Sequence, residues 1–386
     1  MCTDIHCERC LFLTKKTLEL SVFGNCISKP IAREEGYGSN HPGCGASRGG
    51  IASTVSRVLN NKGVISDETA QRIQKAMQEL HYVPNDFARS FATGSAHTIA
   101  IVIDVENTEA YSNNFFNDTV FGIETTAHKN DYNLLITNGA EAFGGIDSVE
   151  RLVLGKKIDG VIIPESIANE PFLKRLNEQK FPCVILGRHE HTENEISWVD
   201  INNMQAGSLA VRHLFQKGYR KIALITNGDK ELFNKDRVIG YCRELQDCEL
   251  PFDQGMIIHQ ISSIDECKRK VVELLKSENP PDAVICSNDL LALGAMRAAK
   301  ALGSDVPNEF GIVCFDNTTI TEVMEPSISS LDVNTYELGV QAADILINQI
   351  ENPTSSLRQI LLSTRMIERR STQREQGGCP YESASG

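Results

Sequence analysis

The chain has 386 residues, 41% hydrophobic and 23% charged, which is ordinary soluble globular composition and too long for one small domain. No apolar run reaches the length of a membrane span, and the start lacks the basic-then-apolar order of a secretory leader, so a cytoplasmic address is the expectation. A net charge of −13 excludes a generally basic surface but not a local grip on phosphates, and twelve cysteines without framework spacing exclude a disulfide scaffold.

In chain order, the first fifty residues resist assignment. Pro42 and four glycines rule out a stable helix over His41–Gly50. Cys7 and Cys10 form a Cys-x2-Cys pair near His6, Cys26, His41 and Cys44, but no second close pair follows, so no metal site is expected. The stretch Ser53–Asn60 then places Val55, Val58 and Leu59 on one side of a short helix and Thr54, Ser56 and Arg57 on the other. That pattern suits a helix packed on one face and inserted into a DNA major groove on the other, although by itself a short amphipathic helix more often has a plain structural role. Asn60–Gly63 is a turn. Ser66 caps a second helix with Asp67 and Glu68 in its first turn and Thr69, Ile73, Ala76, Met77 and Leu80 as its core stripe. Tyr82–Gly94 supplies a proline stop, an Asn85 cap and about two turns of helix, too short to be stable alone in water.

From Thr98 onward, short apolar runs alternate with amphipathic stretches. Strands are predicted at Ile99–Val105, Asn133–Thr137, Gly160–Ile163, Cys183–Gly187, Lys221–Thr226, Ala283–Cys286 and Gly311–Phe315. Helices are predicted at Phe115–Asn130, Asn203–Lys217, Asp265–Lys276 and Leu290–Leu302. This alternation predicts a doubly wound sheet covered on both faces. Two internal echoes predict a pair of similar lobes with a cleft between them. Lys129–Gly139 resembles Lys217–Gly228, and Asp159–Ile163 resembles Asp282–Cys286, although buried βα units look somewhat alike in any case.

The order Thr-Val-Ser-Arg-Val-Leu-Asn, Ile73, Leu-x-Tyr-x-Pro-Asn and Ala-Arg-Ser resembles the head, second core helix and hinge of the lactose-repressor family of transcription regulators. The resemblance continues to Glu368. It implies an α/β fold: a two-lobed, periplasmic-binding-protein-like doubly wound core with a small all-α helix-turn-helix head and a hinge helix. The expected boundaries are an atypical segment at 1–50, disordered or frameshifted, a partial head at 51–82, a hinge at 83–96, an effector domain at 97–372 and a polar tail at 373–386. Within the effector domain, the N-lobe takes 97–198 and 334–357 and the C-lobe 199–333 and 358–372. The family's first head helix, built around Asp-Val-Ala, has no counterpart here. Codons for His41–Gly45 read one base later permit Ile-Arg-Asp-Val-Ala, a frameshift hypothesis that resequencing tests.

The resemblance also implies site residues. Ser53, Thr54, Ser56, Arg57 and Asn60 would contact DNA, with Arg57 the base reader and Phe91 at the position of a minor-groove wedge. Between the lobes, Arg237 and Asp316 would hold ligand hydroxyls or a carboxylate, because a fork of fixed donors opposite an acceptor orients a polyol. Asn288 would add an amide, with Asp289 capping the helix that follows. Arg188, Phe115 and Phe116 are further effector candidates, the two rings either covering a sugar face or simply packing. The implied partners are operator DNA, a sugar-like effector and a second copy of the chain, with no cofactor, metal or membrane. There is no Gly-x-Ser-x-Gly, phosphate loop or metal-spaced cluster, and His189, Glu190, His191 and Glu193 read as a solvated loop, so an enzyme is not expected. A two-lobed solute receptor that does not bind DNA is the competing reading.

Overall fold

The structure, a computed structural model, describes Val58 and residues 65–79, 94–104, 114–139, 147–190 and 196–374. The chain divides into two compact units, residues 1–92 and 93–386. In the first unit, helix α1 (Asp67–Glu79) starts as its sequence predicts. Ser66 Oγ accepts from Thr69 N at 3.4 Å, and Asp67 and Glu68 face the positive end of the helix dipole. Of the expected core stripe, Ile73 is buried and Thr69 and Ala76 are half-buried, while the Met77 side chain and Leu80 lie outside the described residues. The proposed groove-facing helix and the hinge lie outside them too, apart from Val58 and the hinge's end from Gly94.

The second unit begins with β1 (Thr98–Ile103), α2 (Asn114–Lys129), β2 (Asn133–Asn138), α3 (Asp147–Leu154), β3 (Gly160–Pro164), α4 (Glu170–Glu178), β4 (Cys183–Leu186) and β5 (Ser197–Ile201). The chain then crosses into a second lobe. There it forms α5 (Asn203–Gln216), β6 (Ile222–Ile225), α6 (Leu232–Asp247), β7 (Ile257–Ile258), α7 (Ile264–Leu275), β8 (Ala283–Cys286), α8 (Asp289–Leu302), β9 (Gly311–Phe315), α9 (Thr319–Val323) and β10 (Ser329–Asp332). It returns as α10 (Thr335–Glu351) and β11 (Gln359–Leu362) and finishes in the second lobe with β12 (Arg365–Ile367).

The two sheets have matching orders, β11-β5-β4-β3-β1-β2 and β12-β10-β9-β8-β6-β7. All pairs are parallel except β10 with β12. Central strands such as β6, β8 and β9 are buried at every residue, because helices cover both faces and each face closes its own apolar core. Since β11 pairs with β5, the last passage between lobes follows Leu362, beyond the boundary at 357 read from sequence.

One echo marks equivalent strands and the other does not. Asp159, just before β3, accepts from Ser95 Oγ and Ala96 N, each at 2.8 Å, which ties down the start of β1. Asp282, just before β8, accepts from Arg220 N and Lys221 N at 2.9 Å and does the same for β6. The strands β3 and β8 therefore hold the same place. The other echo pairs β2, a half-exposed edge strand, with β6, which occupies the position of β1. A helix end followed by an apolar strand recurs in every βα unit, so that likeness carried no positional information.

Candidate functional site

The cleft lies where the carboxyl ends of both sheets meet, and its centre is built around α6. Its neighbour α5 approaches closely enough that a Cβ on Gly240 would collide with the Met204 carbonyl. This close packing presents Arg237 inward at 4% exposure. Arg237 Nε donates to Asn203 Oδ1 at 3.0 Å and Nη1 to the Ser287 carbonyl at 2.9 Å. The guanidinium lies 3.9 Å over the Phe315 ring and 5.2 Å from that of Phe233. Burial lowers its pKa, and the charges of Asp316 and Asp200 oppose that effect. An arginine clamped in this way is an oriented fork of donors.

Asp316 follows β9 at φ +82° and Asn317 at +53°, two successive left-handed non-glycine residues. Backbone of that kind is costly and concentrates where a side chain must be aimed. Asn288, two residues after β8, caps α8, its Oδ1 accepting from Leu291 N at 2.9 Å. The cap expected at Asp289 is thus Asn288, and Asp289, the first residue of α8, takes a hydrogen bond from Thr318 Oγ1 instead.

Arg188, two residues after β4 in the first lobe, reaches across the cleft to α6. Its Nη2 contacts Asp236 Oδ1 at 2.7 Å and its Nη1 contacts Glu190 Oε1 at 2.9 Å. Burial raises the Asp236 pKa and the Arg188 charge lowers it. Asp200, at the end of β5, is pushed up to about 6 chiefly by burial, against the pull of the Ile201 and Arg188 backbone N–H groups and the Arg237 charge. Phe115 is half-buried and packs against the cores of both lobes, whereas Phe116 packs against the first lobe alone. His189, expected in a solvated loop, is buried with Nε2 3.3 Å from Glu170 Oε1, because it lies against the start of α4.

The structure therefore brings Arg188, Arg237, Asn288 and Asp316 to one cleft and sets Phe115 between the lobes. Asp200, Asn203, Asp236 and Ser287 complete the network and were not singled out from sequence. The adjacency of Asp236 to Arg237 was the one local hint. No group of three or more metal-binding side chains occurs among the described residues, and no described helix is long and apolar enough to cross a membrane. Ser53, Thr54, Ser56, Arg57, Asn60 and Phe91 lie outside the described residues.

Two doubly wound lobes joined by three chain passages, with a buried arginine fork at the carboxyl ends of their strands, define a two-lobed ligand-binding core. Residues 96–370 match the model of periplasmic binding proteins and the sugar binding domain of the LacI family, and residues 50–85 match that of bacterial regulatory proteins, lacI family. The chain belongs to the LacI family, as its head and hinge motifs implied. The HTH-type transcriptional regulator MalR of Streptococcus pneumoniae is 33% identical over 326 residues, covering 82% of this chain and 95% of its own. The HTH-type transcriptional repressor CytR of Escherichia coli is 29% identical over 322 residues, covering 83% and 92%. The solved structure of a CelR–cellobiose complex superposes with a TM-score of 0.65 at 27% identity, over 82% of this chain and 94% of that one. The protein is a DNA-binding transcription regulator controlled by an effector.

Proposed function

We propose that this regulator senses a sugar-like metabolite between its lobes, held by Arg237, Asp316 and the Asn288 amide nitrogen and covered by Phe115. The observation that carries the reading is the Arg237 fork, buried, pinned on two sides and set near Asp316. A polyol offers the alternating donors and acceptors that such a pair selects. The cellobiose in the CelR complex supports a saccharide as the class. The working unit is a cytoplasmic homodimer without catalytic activity. Ser53, Thr54, Ser56, Arg57 and Asn60 read the operator and Phe91 wedges into its minor groove. Effector then changes operator affinity to the extent that it binds the DNA-loaded and free states differently. A thermal-shift screen of sugars, sugar phosphates and nucleosides tests the reading. One saccharide should raise the melting midpoint of the native chain, and Arg237→Ala should lose that rise; a rise that survives the substitution removes Arg237 from the site.

A second reading is favoured by one observation. The match to the lacI regulatory model begins at residue 50, after a stretch that contains Pro42 and four glycines. On this reading the chain senses effector but grips operator weakly. Mobility shifts on the promoter of its own gene, at several salt concentrations, separate the two. A steep salt-dependent shift by the native chain supports the first reading. A shift seen only when an Ile-Arg-Asp-Val-Ala helix is restored supports the second.

A further inference from the structure

The second lobe holds another arginine fork, Arg369, which stands two residues after β12 with its side chain 12% exposed. Its Nη1 donates to Thr321 Oγ1 at 3.2 Å and to the Ile328 carbonyl at 3.0 Å. Its Nη2 donates to Asn317 Oδ1 at 2.8 Å and to Glu322 Oε1 at 3.0 Å. Each terminal nitrogen of an arginine carries two hydrogens, so these four protein acceptors occupy the whole fork. Arg369 therefore does not act on a ligand by touching it.

The bond to Asn317 is the one that bears on the cleft. Asp316 and Asn317 are the two successive left-handed residues after β9, and such backbone persists in residues other than glycine only where its surroundings over-determine it. Two contacts do so here. Asn317 N donates to Ser330 Oγ at 3.0 Å, and the Asn317 side chain accepts from Arg369. The arginine is fixed in turn by the neighbouring serine of β10: its N donates to Ser329 Oγ at 2.8 Å, and that hydroxyl donates to its carbonyl. Ser329 and Ser330 thus set the arginine and the turn in one register, and the Arg369 fork closes the link between them.

We propose that Arg369 is a positioning residue for effector binding: through Asn317 it holds the turn that keeps Asp316 beside Arg237. Without that bond the turn relaxes from its left-handed form and the Asp316 carboxylate leaves its place opposite the Arg237 donors. The inference rests on the reading of Asp316 as an effector residue.

Two readouts on the full chain test it, with the native protein, Arg369→Met and Asn317→Gly. Glycine adopts positive φ without strain, so Asn317→Gly removes the acceptor and keeps the fold even where Arg369→Met does not. The first readout needs no ligand: amide hydrogen exchange, by mass spectrometry, over residues 316–318 and over β8, which is buried at every residue. Exchange at 316–318 should rise tenfold or more in both variants while β8 moves less than threefold. A rise that β8 shares equally in both variants, or none at 316–318, overturns the positioning role. The second readout is affinity, by isothermal titration with cellobiose, maltose, glucose and ribose. The sugar that binds the native chain most tightly should bind each single variant at least tenfold more weakly. Adding Arg369→Met to Asn317→Gly should then cost less than threefold, because the arginine acts through that side chain. Losses that multiply, or single variants that bind as the native chain does, overturn the inference while the sugar reading stands. Failure of all four sugars on the native chain overturns the sugar reading and the effect on affinity with it, and exchange still decides whether Arg369 holds the turn.

Discussion

Arg237 and Asp200 belong to one buried network, in which each charge acts on the other. Arg237 is legible in the sequence through the Arg-Val-Ile-Gly run, whereas Asp200 is not, because its importance comes from burial beside a residue 37 positions away by number. Its carboxyl is pushed up to about 6, above the value near 4 of an unfolded chain. Between those values the folded protein keeps a proton that the unfolded chain has released. Stability therefore falls as pH rises from about 4 to about 6 and stays at the lower level above that. Asp200→Asn removes this ionisation. The stability of the variant relative to the native chain should rise through that window, by ~3 kcal/mol at most, and level off near neutrality. Melting midpoints of both proteins between pH 4 and 8 check it, and a difference independent of pH counts against it.

At the scale of elements, the helix pair α5–α6 sets the position of the cleft. Gly240 faces the Met204 carbonyl and Gly207 faces that of Arg237, so neither tolerates a Cβ without displacing backbone. Gly240→Ala should cost ~1–3 kcal/mol by overpacking. It should lower the melting midpoint by several degrees and weaken effector binding as well, since α6 carries both Asp236 and Arg237. An unchanged midpoint would show that the helices part without strain. Elements that depend on polar burial escaped the sequence reading. The strand β10 holds Ser329 and Ser330, both fully buried, with Ser329 Oγ donating to the Arg369 carbonyl at 3.0 Å. Likewise β5 buries Ser197 and Asp200. Neither forms an apolar run, so periodicity passes over them.

At the scale of the whole core, the Arg188–Asp236 pair is a contact between lobes. Arg188 is 29% exposed and Asp236 9% in their side chains, so part of the attraction is screened, and the pair contributes about 1 kcal/mol or less. That is enough to bias a marginal equilibrium between open and closed lobes. Asp236→Asn should enlarge the radius of gyration of the effector-free protein, read by small-angle scattering, and saturating effector should reverse the change. Equal radii with and without the substitution in the effector-free state would show that the pair takes no part in closure.

The sequence alone determined the doubly wound class, the duplicated lobes and the regulator family, since these rest on local periodicity and short ordered motifs. It also marked Arg237 and Asp316. The tertiary structure decided which carboxylates surround Arg237, that Asn288 rather than Asp289 caps α8, and that Arg188 bridges the lobes. The physical reason is range. Periodicity is set within one helix or strand, but desolvation and hydrogen-bond partnership depend on groups such as Arg188 and Asp236, 48 residues apart, that meet only after both lobes have folded.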